Sequence, residues 1–313
     1  MIGGKTVAVV VPAYDEVALI ADTIAGIPNF VDRIIVVDDG SRDGTPEKAA
    51  GFADPQIEVI VHERNRGVGA AIVTGYKRAL AERVDVTAVM AGDNQMDPDE
   101  LERILEPVLR GEVDYAKANR LISGRAWELI PRSRYLGNAV LSLLTKIASG
   151  YWHVADSQAG YTAISLAMLE RLDLDRIYSR YGFPNDLLVH LNVVNARVRD
   201  IPSRPIYNIG ERSGIRIRKV VPRISWLLLK GFFWRLREKY VIRDFHPLVF
   251  FYLLGFLMTG LGLGLGIAET VLRFLGHGIP TATIVLVALL LTAGSQFTLF
   301  AMWFDMESNK DLR

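Results

Sequence analysis

The 313 residues carry a formal net charge of +1, contain no cysteine and are 50% hydrophobic. The lack of cysteine excludes a disulfide framework and thiol chemistry, and the length fits one large domain or one domain with an appendage. The near-neutral charge hides a split, because the stretch from Arg204 to Arg243 holds eleven Lys/Arg against two acidic residues, Glu211 and Glu238.

Residues 6–11 form a continuous apolar run ended by Pro12 and read as a buried parallel strand. Helical spacing follows over residues 15–27. Residues 33–37 are a second buried strand, ended by Asp38-Asp39-Gly40-Ser41-Arg42-Asp43-Gly44-Thr45, with a helix from about Pro46. Residues 57–61 are a third strand, and Asn65-Arg66-Gly67-Val68-Gly69-Ala70-Ala71 is a glycine-rich turn into a helix that reaches about Arg83. The fourth strand, residues 87–90, runs into Ala91-Gly92-Asp93-Asn94-Gln95-Met96-Asp97-Pro98. Strands alternating with helices of this length predict βαβ units and a mostly parallel sheet. Residues 114–118 continue the sheet, 119–133 form a loop and 135–149 an apolar helix. Residues 156–163 return toward the strand ends, and 166–172 and 186–195 are short helices. Residues 197–202 read as an edge strand, since Pro202 cannot donate to a ladder.

Two segments near the C-terminus set the class. Residues 247–268 carry no charge over 22 positions and residues 279–304 none over 26. At about 1.5 Å per residue the shorter one reaches about 33 Å as a helix, enough for a hydrocarbon core of about 30 Å. The short connector makes the pair a transmembrane hairpin. Arg235, Arg237, Lys239 and Arg243 precede the first span, and Lys310 and Arg313 follow the second. By the positive-inside rule the large domain and both termini are cytoplasmic. The stretch 215–240 interleaves Trp226, Leu227, Phe232, Phe233 and Trp234 with Lys230, Arg235 and Arg237, a pattern for an anionic membrane surface. Beside two spans that reading displaces nucleic-acid binding, so the expected partner is the lipid bilayer and no nucleic acid. Gly260, Gly262, Gly264 and Gly266 permit close packing, within the hairpin or in a homo-oligomer. The expected division is a domain over 1–214, a basic amphipathic segment over 215–244, the hairpin over 245–305 and a tail over 306–313.

Open α/β sheets bind ligands beyond the carboxyl ends of their strands. There lie Pro12-Ala13-Tyr14-Asp15-Glu16, the Asp38-Asp39 loop and the Asp93 loop. A carboxylate in such loops can accept from a base N–H or a ribose hydroxyl, and Tyr14 can stack on a base. Asp93 can hold Mg²⁺ or Mn²⁺ against a diphosphate, because both ions prefer oxygen ligands and complete their shells with phosphate and water. Asp97-Pro98-Asp99-Glu100 has the order of an N-cap, a proline at N1 and an acidic first turn, so Asp97 reads mainly as a cap. Asp43-Gly44-Thr45-Pro46 reads mainly as a turn and helix start. Adjacent Asp38 and Asp39 repel each other, and only one can point outward comfortably. The Asn65 to Ala70 turn matches neither G-x-G-x-x-G nor a P-loop, and close packing through small residues explains it as well as ligand contact.

Taken together, these loop motifs resemble the family 2 inverting glycosyltransferases of GT-A fold. With the hairpin, the chain resembles the polyprenyl-phosphate hexosyltransferases of the dolichol-phosphate mannose synthase type. The resemblance spans about residues 5–218 by motif and the rest by architecture. It implies a Rossmann-like, mostly parallel α/β sheet flanked by helices. It implies that Pro12, Tyr14, Glu16, Gly92 and one or both of Asp38 and Asp39 hold the nucleoside. It implies that Asp93, with Gln95 beside it, binds Mg²⁺ or Mn²⁺ and the donor diphosphate. The family commonly has Asp-x-Asp there, and Ala91 stands at the first of these positions. Asp156-Ser157-Gln158-Ala159-Gly160-Tyr161 resembles the family stretch that borders sugar and acceptor, which adds Asp156 to the catalytic set. Glu211-Arg212-Ser213-Gly214-Ile215-Arg216-Ile217-Arg218 resembles its arginine-rich region, with Arg212 catalytic and Arg216 a phosphate ligand. Arg120, Arg125, Arg132 and Arg134 are candidates for the acceptor phosphate, with surface solvation the plain alternative for each.

The implied activity is inverting transfer of a hexose from a GDP-mannose- or UDP-glucose-type donor to a dolichyl or undecaprenyl phosphate. A phosphate acceptor is already anionic and needs no strong base. Asp156 and Asp186 are candidate bases if the acceptor is a hydroxyl of a glycan or glycolipid. A non-catalytic nucleotide-sugar-binding membrane protein is the remaining reading.

Overall fold

The strand β1, Val7–Ala13, is buried at all seven positions and sits inside the sheet, as its unbroken apolar run predicts. The structure is a computed structural model and describes residues 1–122, 132–204, 206 and 217–313, with the side chains of residues 132–136 and 217–220 outside the description. Contacts divide the chain into two compact units, residues Met1–Phe233 with Asp311–Arg313, and Trp234–Lys310.

In the first unit β1 is joined by β2 (Arg33–Asp38), β3 (Ile57–Val61), β4 (Val86–Val89), β5 (Tyr115–Asn119), β6 (Thr162–Ser165) and β7 (Val198–Pro202). The order is β3-β2-β1-β4-β6-β5-β7. Pairing is parallel from β3 through β4 and between β5 and β7, and β6 runs antiparallel to β4 and β5. The chain winds outward from β1 to β3 and then crosses back to β4, so the sheet switches direction beside β1. That is where an open α/β sheet leaves a crevice at its carboxyl edge. Alternate residues of β1 and β2 feed opposite layers. Val10, Ile35 and Val37 join one core with Tyr76 and Leu187, while Val9, Val11, Ile34 and Val36 join the other with Ile24 and Leu101.

The helices of this unit are α1 (Ile20–Gly26), α2 (Thr45–Ala50), α3 (Val68–Ala81), α4 (Leu101–Leu109), α5 (Arg132–Ser149), α6 (Leu166–Arg171), α7 (Phe183–Val193) and α8 (Ile217–Arg237), the last of which continues into the second unit. Two elements depart from the sequence expectation. The first helix starts at Ile20 rather than near residue 15, because side chains of the next loop capture the N–H groups of Asp15, Glu16 and Val17. The stretch expected only to return toward the site makes β6 in mid-sheet, where Ala163 pairs with Ala88 and Ala116. Four residues of mixed polarity give too little periodicity to mark a strand. β7 lies at the edge, as Pro202 requires. Its Val198 N–H donates to Leu312 O at 2.9 Å, so the last residues of the chain cover the start of that edge.

The second unit holds α9 (Leu248–Phe274) and α10 (Thr281–Ser308). Both are long and apolar enough to cross a membrane, and only 22% and 11% of their apolar windows are buried. A core helix of a water-soluble protein would hide such a surface. The two helices touch through small residues. A Cβ on Gly255 would come within 2.4 Å of Thr298 Oγ1, and one on Gly294 equally near Thr259 Oγ1. Gly262 and Gly266 face Leu291 and Val287, while Gly260 and Gly264 meet open space.

Arg235 and Lys239 depart from the expected lipid-facing role. Arg235 is fully buried and bridges Asp305 through Nη1–Oδ1 at 2.7 Å and Nη2–Oδ2 at 3.0 Å. The Tyr240 hydroxyl donates to the same carboxylate at 2.6 Å, and Lys239 Nζ donates to Asn309 Oδ1 at 2.7 Å. Burial, then the Arg235 charge, lowers the Lys239 pKa to about 7. Asp305→Ala would strand the Arg235 charge in a buried place, which costs about 3–5 kcal/mol. Thermal unfolding in detergent micelles measures this, and Asp305→Leu combined with Arg235→Met is expected to restore most of the loss.

Candidate active site

Backbone hydrogen bonds line up the strand ends. Asp39 N donates to Ala13 O at 2.8 Å, Gly92 N to Pro12 O at 3.0 Å and His62 N to Asp38 O at 2.9 Å. The loops after β1, β2, β3 and β4 therefore start side by side. The first two interlock. Asp15, in the left-handed region at φ 54°, donates from N to Ser41 Oγ and accepts from Arg42 N. Glu16 N donates to Thr45 Oγ1 and Val17 N to Asp43 Oδ2. Asp43 also accepts from Thr45 N, the turn role expected of it. Pro12 is buried as part of β1 and Tyr14 is exposed beside it. Burial, then the charges of Asp93, Asp43 and Asp15, pushes the Glu16 pKa up to about 7. The loop that carries Glu16 starts beside the Asp93 loop, through the Gly92 N to Pro12 O bond.

Asp38 and Asp39 are both buried, against the expectation that one would point outward. They avoid each other by serving different loops. Asp38 Oδ2 accepts from Gly40 N at 3.1 Å and Ser41 N at 2.9 Å, and its buried Oδ1 has no partner among the described residues. Asp39 Oδ1 accepts from His62 Nδ1–H at 2.8 Å and Arg66 N at 2.9 Å, and its Oδ2 from Gly67 N at 2.7 Å. The other ring nitrogen of His62 pairs with the Thr74 hydroxyl at 3.0 Å. Asp39 thus builds the glycine-rich turn. That turn packs on backbone. Gly67 has φ 103°, and a Cβ there would sit 2.5 Å from Ser179 O; one on Gly69 would sit 2.6 Å from Tyr178 O. Close packing is the reading the geometry supports for this turn.

The Asp93 loop turns on itself. Gln95 N donates to Asp93 Oδ1 at 3.2 Å, and Asn94 takes φ 56°, which asparagine tolerates. Asp97 Oδ1 accepts from Asp99 N, so Asp97 is the cap that its sequence context predicts. A cleft opens beside the loop. Asp93, Gln95 and Met96 line it with Ala118, Arg120, Ala159, Gly160, Tyr161, Ser203, Arg204 and Ile206.

Asp156 does not line this cleft. It is fully buried and holds Arg120, whose Nε lies 2.8 Å and Nη2 3.2 Å from its two oxygens, with Arg120 N at 3.1 Å. Burial pushes the carboxyl up, but the Arg120 charge and hydrogen bonds outweigh it and hold the pKa below the usual range. A carboxylate so committed orients a cation rather than taking a proton. Beneath it the buried Lys117 ammonium donates to the Asp156 and Ala118 carbonyls. Asp186 accepts from Tyr178 N at 2.8 Å beside His190, under the turn that Gly67 packs on, and burial raises its pKa. Arg125, Arg212 and Arg216, and the side chains of Arg132 and Arg134, lie outside the described residues.

Among the described residues no three His, Cys, Asp or Glu side chains converge as metal ligands. Asp93 and Gln95 offer one carboxylate and one amide oxygen, and Ala91 offers nothing. Hard oxygen donors few in number suit Mg²⁺ or Mn²⁺ that takes its remaining ligands from phosphate and water. Sequence reasoning missed His62, Glu100, Ser203 and Arg204. Arg204 stood out only as the start of a basic stretch.

Comparison with known proteins agrees with the geometry. The model of glycosyl transferase family 2 matches residues 8–173. The UDP-N-acetylglucosamine–dolichyl-phosphate N-acetylglucosaminyltransferase of Methanococcus voltae is 28% identical over 218 residues, 65% of this chain and 86% of that enzyme. The undecaprenyl-phosphate mannosyltransferase of Micrococcus luteus is 30% identical over 198 residues, 62% of this chain and 80% of that enzyme. In fold the chain is similar to glucosyl-3-phosphoglycerate synthase from Mycobacterium tuberculosis, solved with Mn²⁺, UDP and its product, at a TM-score of 0.54 and 22% identity over 74% of this chain and 80% of that one. The chain belongs to glycosyl transferase family 2 and is a glycosyltransferase with a GT-A-like sheet.

Asp156→Asn keeps the shape but removes the charge that holds Arg120, at a cost of about 2 kcal/mol. Because the folded pKa of Asp156 lies below its unfolded value, its contribution is present at neutral pH and lost only as pH falls below the ordinary 3.8. Thermal melts across pH should show the variant losing stability most near neutrality and least in acid.

Proposed function

We propose that this protein transfers a hexose, with inversion, from a nucleoside-diphosphate sugar to a polyprenyl phosphate at the cytoplasmic face of a membrane. The observation that carries the reading is the cleft that Asp93, Gln95 and Arg120 line together, in a chain with two apolar helices. Relatives whose names specify dolichyl or undecaprenyl phosphate as acceptor support it.

The nucleoside end of the donor lies over Pro12, Tyr14, Glu16 and Gly92, with Tyr14 free to stack on the base. The unpartnered oxygen of Asp38 is the acceptor nearest to hand for a base N–H or a ribose hydroxyl. Asp93 and Gln95 would hold Mg²⁺ or Mn²⁺ on the diphosphate. Such an ion supplies charge stabilisation to the departing nucleoside diphosphate. Arg120, locked by Asp156, orients the acceptor phosphate. An acceptor that is already anionic needs no base, and the two other candidate bases fit that choice. Asp156 is ion-paired and buried, and Asp186 accepts a backbone N–H beneath the turn. A hydroxyl acceptor would need a free carboxylate in the cleft besides Asp93.

The basic residues on the near side of the hairpin, Arg237 and Arg243 among them, support the cytoplasmic placement of the catalytic domain. The boundaries we favour are a catalytic domain to about residue 214, a juxtamembrane segment to 244, the hairpin to 305 and a short tail.

Membranes containing the protein, given labelled UDP-glucose, UDP-N-acetylglucosamine or GDP-mannose with polyprenyl phosphate, should form an acid-labile labelled lipid with one of them. EDTA should abolish it. Labelled glycan without labelled lipid would favour the hydroxyl-acceptor reading instead. Asp93→Ala should lower turnover about 10²–10³-fold, and turnover that survives would remove Asp93 from the metal site.

A further inference from the structure

Arg204 ends the described run after β7 and lines the cleft together with Asp93. Its position is fixed from three sides. Arg204 N donates to Glu100, at 3.2 Å from Oε1 and 3.4 Å from Oε2. The neighbouring Ser203 hydroxyl donates to Glu100 Oε2, and Ser203 N donates to Asn119 O at 3.0 Å. Arg103 donates to Glu100 Oε1 at 3.1 Å and also to Pro202 O. Glu100 is itself buried and stands in the short helical turn directly after the Asp93 loop. Its carboxylate therefore fastens the Arg204 backbone to the turn that follows the Asp93 loop, while Ser203 fastens it to the strand end that carries Arg120.

Charge in the cleft is uneven. Among the described residues the ionised side chains lining it are Asp93, Arg120 and Arg204. Arg120 is neutralised by fully buried Asp156. The Arg204 side chain is exposed and makes no ion pair among the described residues. A phosphate monoester carries about −1.5 to −2 charges at neutral pH. A neutral Arg120–Asp156 pair orients such a group without balancing it. A second guanidinium, with a fork that matches phosphate oxygens, supplies the missing charge.

We infer that Arg204, held by Glu100, is a ligand of the acceptor phosphate and acts with Arg120 as a pair of arginines in the cleft that Asp93 also lines. This rests on the polyprenyl-phosphate reading above. Arg120 sets the direction of the phosphate, and Arg204 adds a positive charge that no carboxylate pairs among the described residues.

The test uses the full-length protein in detergent micelles, with the donor identified by screening and polyprenyl phosphate varied. Arg204→Gln should raise the acceptor KM about tenfold or more, which corresponds to about 1.4 kcal/mol, and move the donor KM less than about twofold. Arg204→Lys should recover part of the loss, as a point charge without the fork. Glu100→Gln should raise the acceptor KM in the same direction. Arg204 is exposed, so its variants read binding even if the Glu100 variant folds poorly. An unchanged acceptor KM in Arg204→Gln, or an equal rise in both KM values, overturns the inference while the reaction stands. A wild type that turns over no polyprenyl phosphate overturns the acceptor reading and this inference with it.

Discussion

A carboxylate taken out of water must find donors, and here each buried carboxylate finds them on a different segment of chain. Asp38 closes the loop after β2 on itself. Asp39, one residue on, reaches the other way and builds the turn that opens α3. Asp156 closes on the arginine at the end of β5, Glu100 on the residues after β7 and Asp305 on the start of the membrane-proximal segment. The loops of a glycosyltransferase must hold donor and acceptor without a rigid ladder of their own. Buried acids supply that rigidity, because breaking one contact leaves a charge that nothing else compensates.

The same arrangement separates two kinds of cation in the site. A guanidinium paired with a buried acid is fixed in direction and nearly neutral. A guanidinium held only through its backbone is free in charge and looser in direction. The phosphate acceptor we propose would use both, since an in-line approach depends on orientation and encounter depends on net attraction. In the proposed site a single carboxylate, Asp93, would face the diphosphate, with Ala91 where the family commonly has a second. Glu16, its pKa raised to about 7 by burial and then by its acidic neighbours, is only partly ionised near neutrality.

Much of the fold was legible because the signals were local. Unbroken Val and Ile runs marked β1 and β2, Pro202 marked an edge, Asp97-Pro98 marked a helix start, and two uncharged stretches marked the apolar helices. The loop motifs also led to the right family. What escaped depends on partners distant in sequence. Nothing near Asp156 says that it will meet Arg120, 36 positions away. Nothing near Arg235 announces Asp305, 70 positions on, so a buried cation read as a surface one. β6 was missed because small residues between two strands need no pronounced pattern. His62 carries no local signal of its partner, because Asp39 lies 23 positions away.

The pairing of Val198 with Leu312 has a consequence for how the catalytic unit can be handled. The chain leaves this unit at Phe233 and re-enters it at Asp311, so the apolar hairpin is an insertion rather than a tail. A fragment cut before the hairpin would lack the three residues that finish the unit and would bare the amide at the start of β7. An open strand edge invites pairing with a second copy. Solubilising the enzyme by truncation therefore exchanges an exposed lipid-facing surface for an exposed β-edge, whereas joining Phe233 to Asp311 through a flexible linker would remove the first without creating the second.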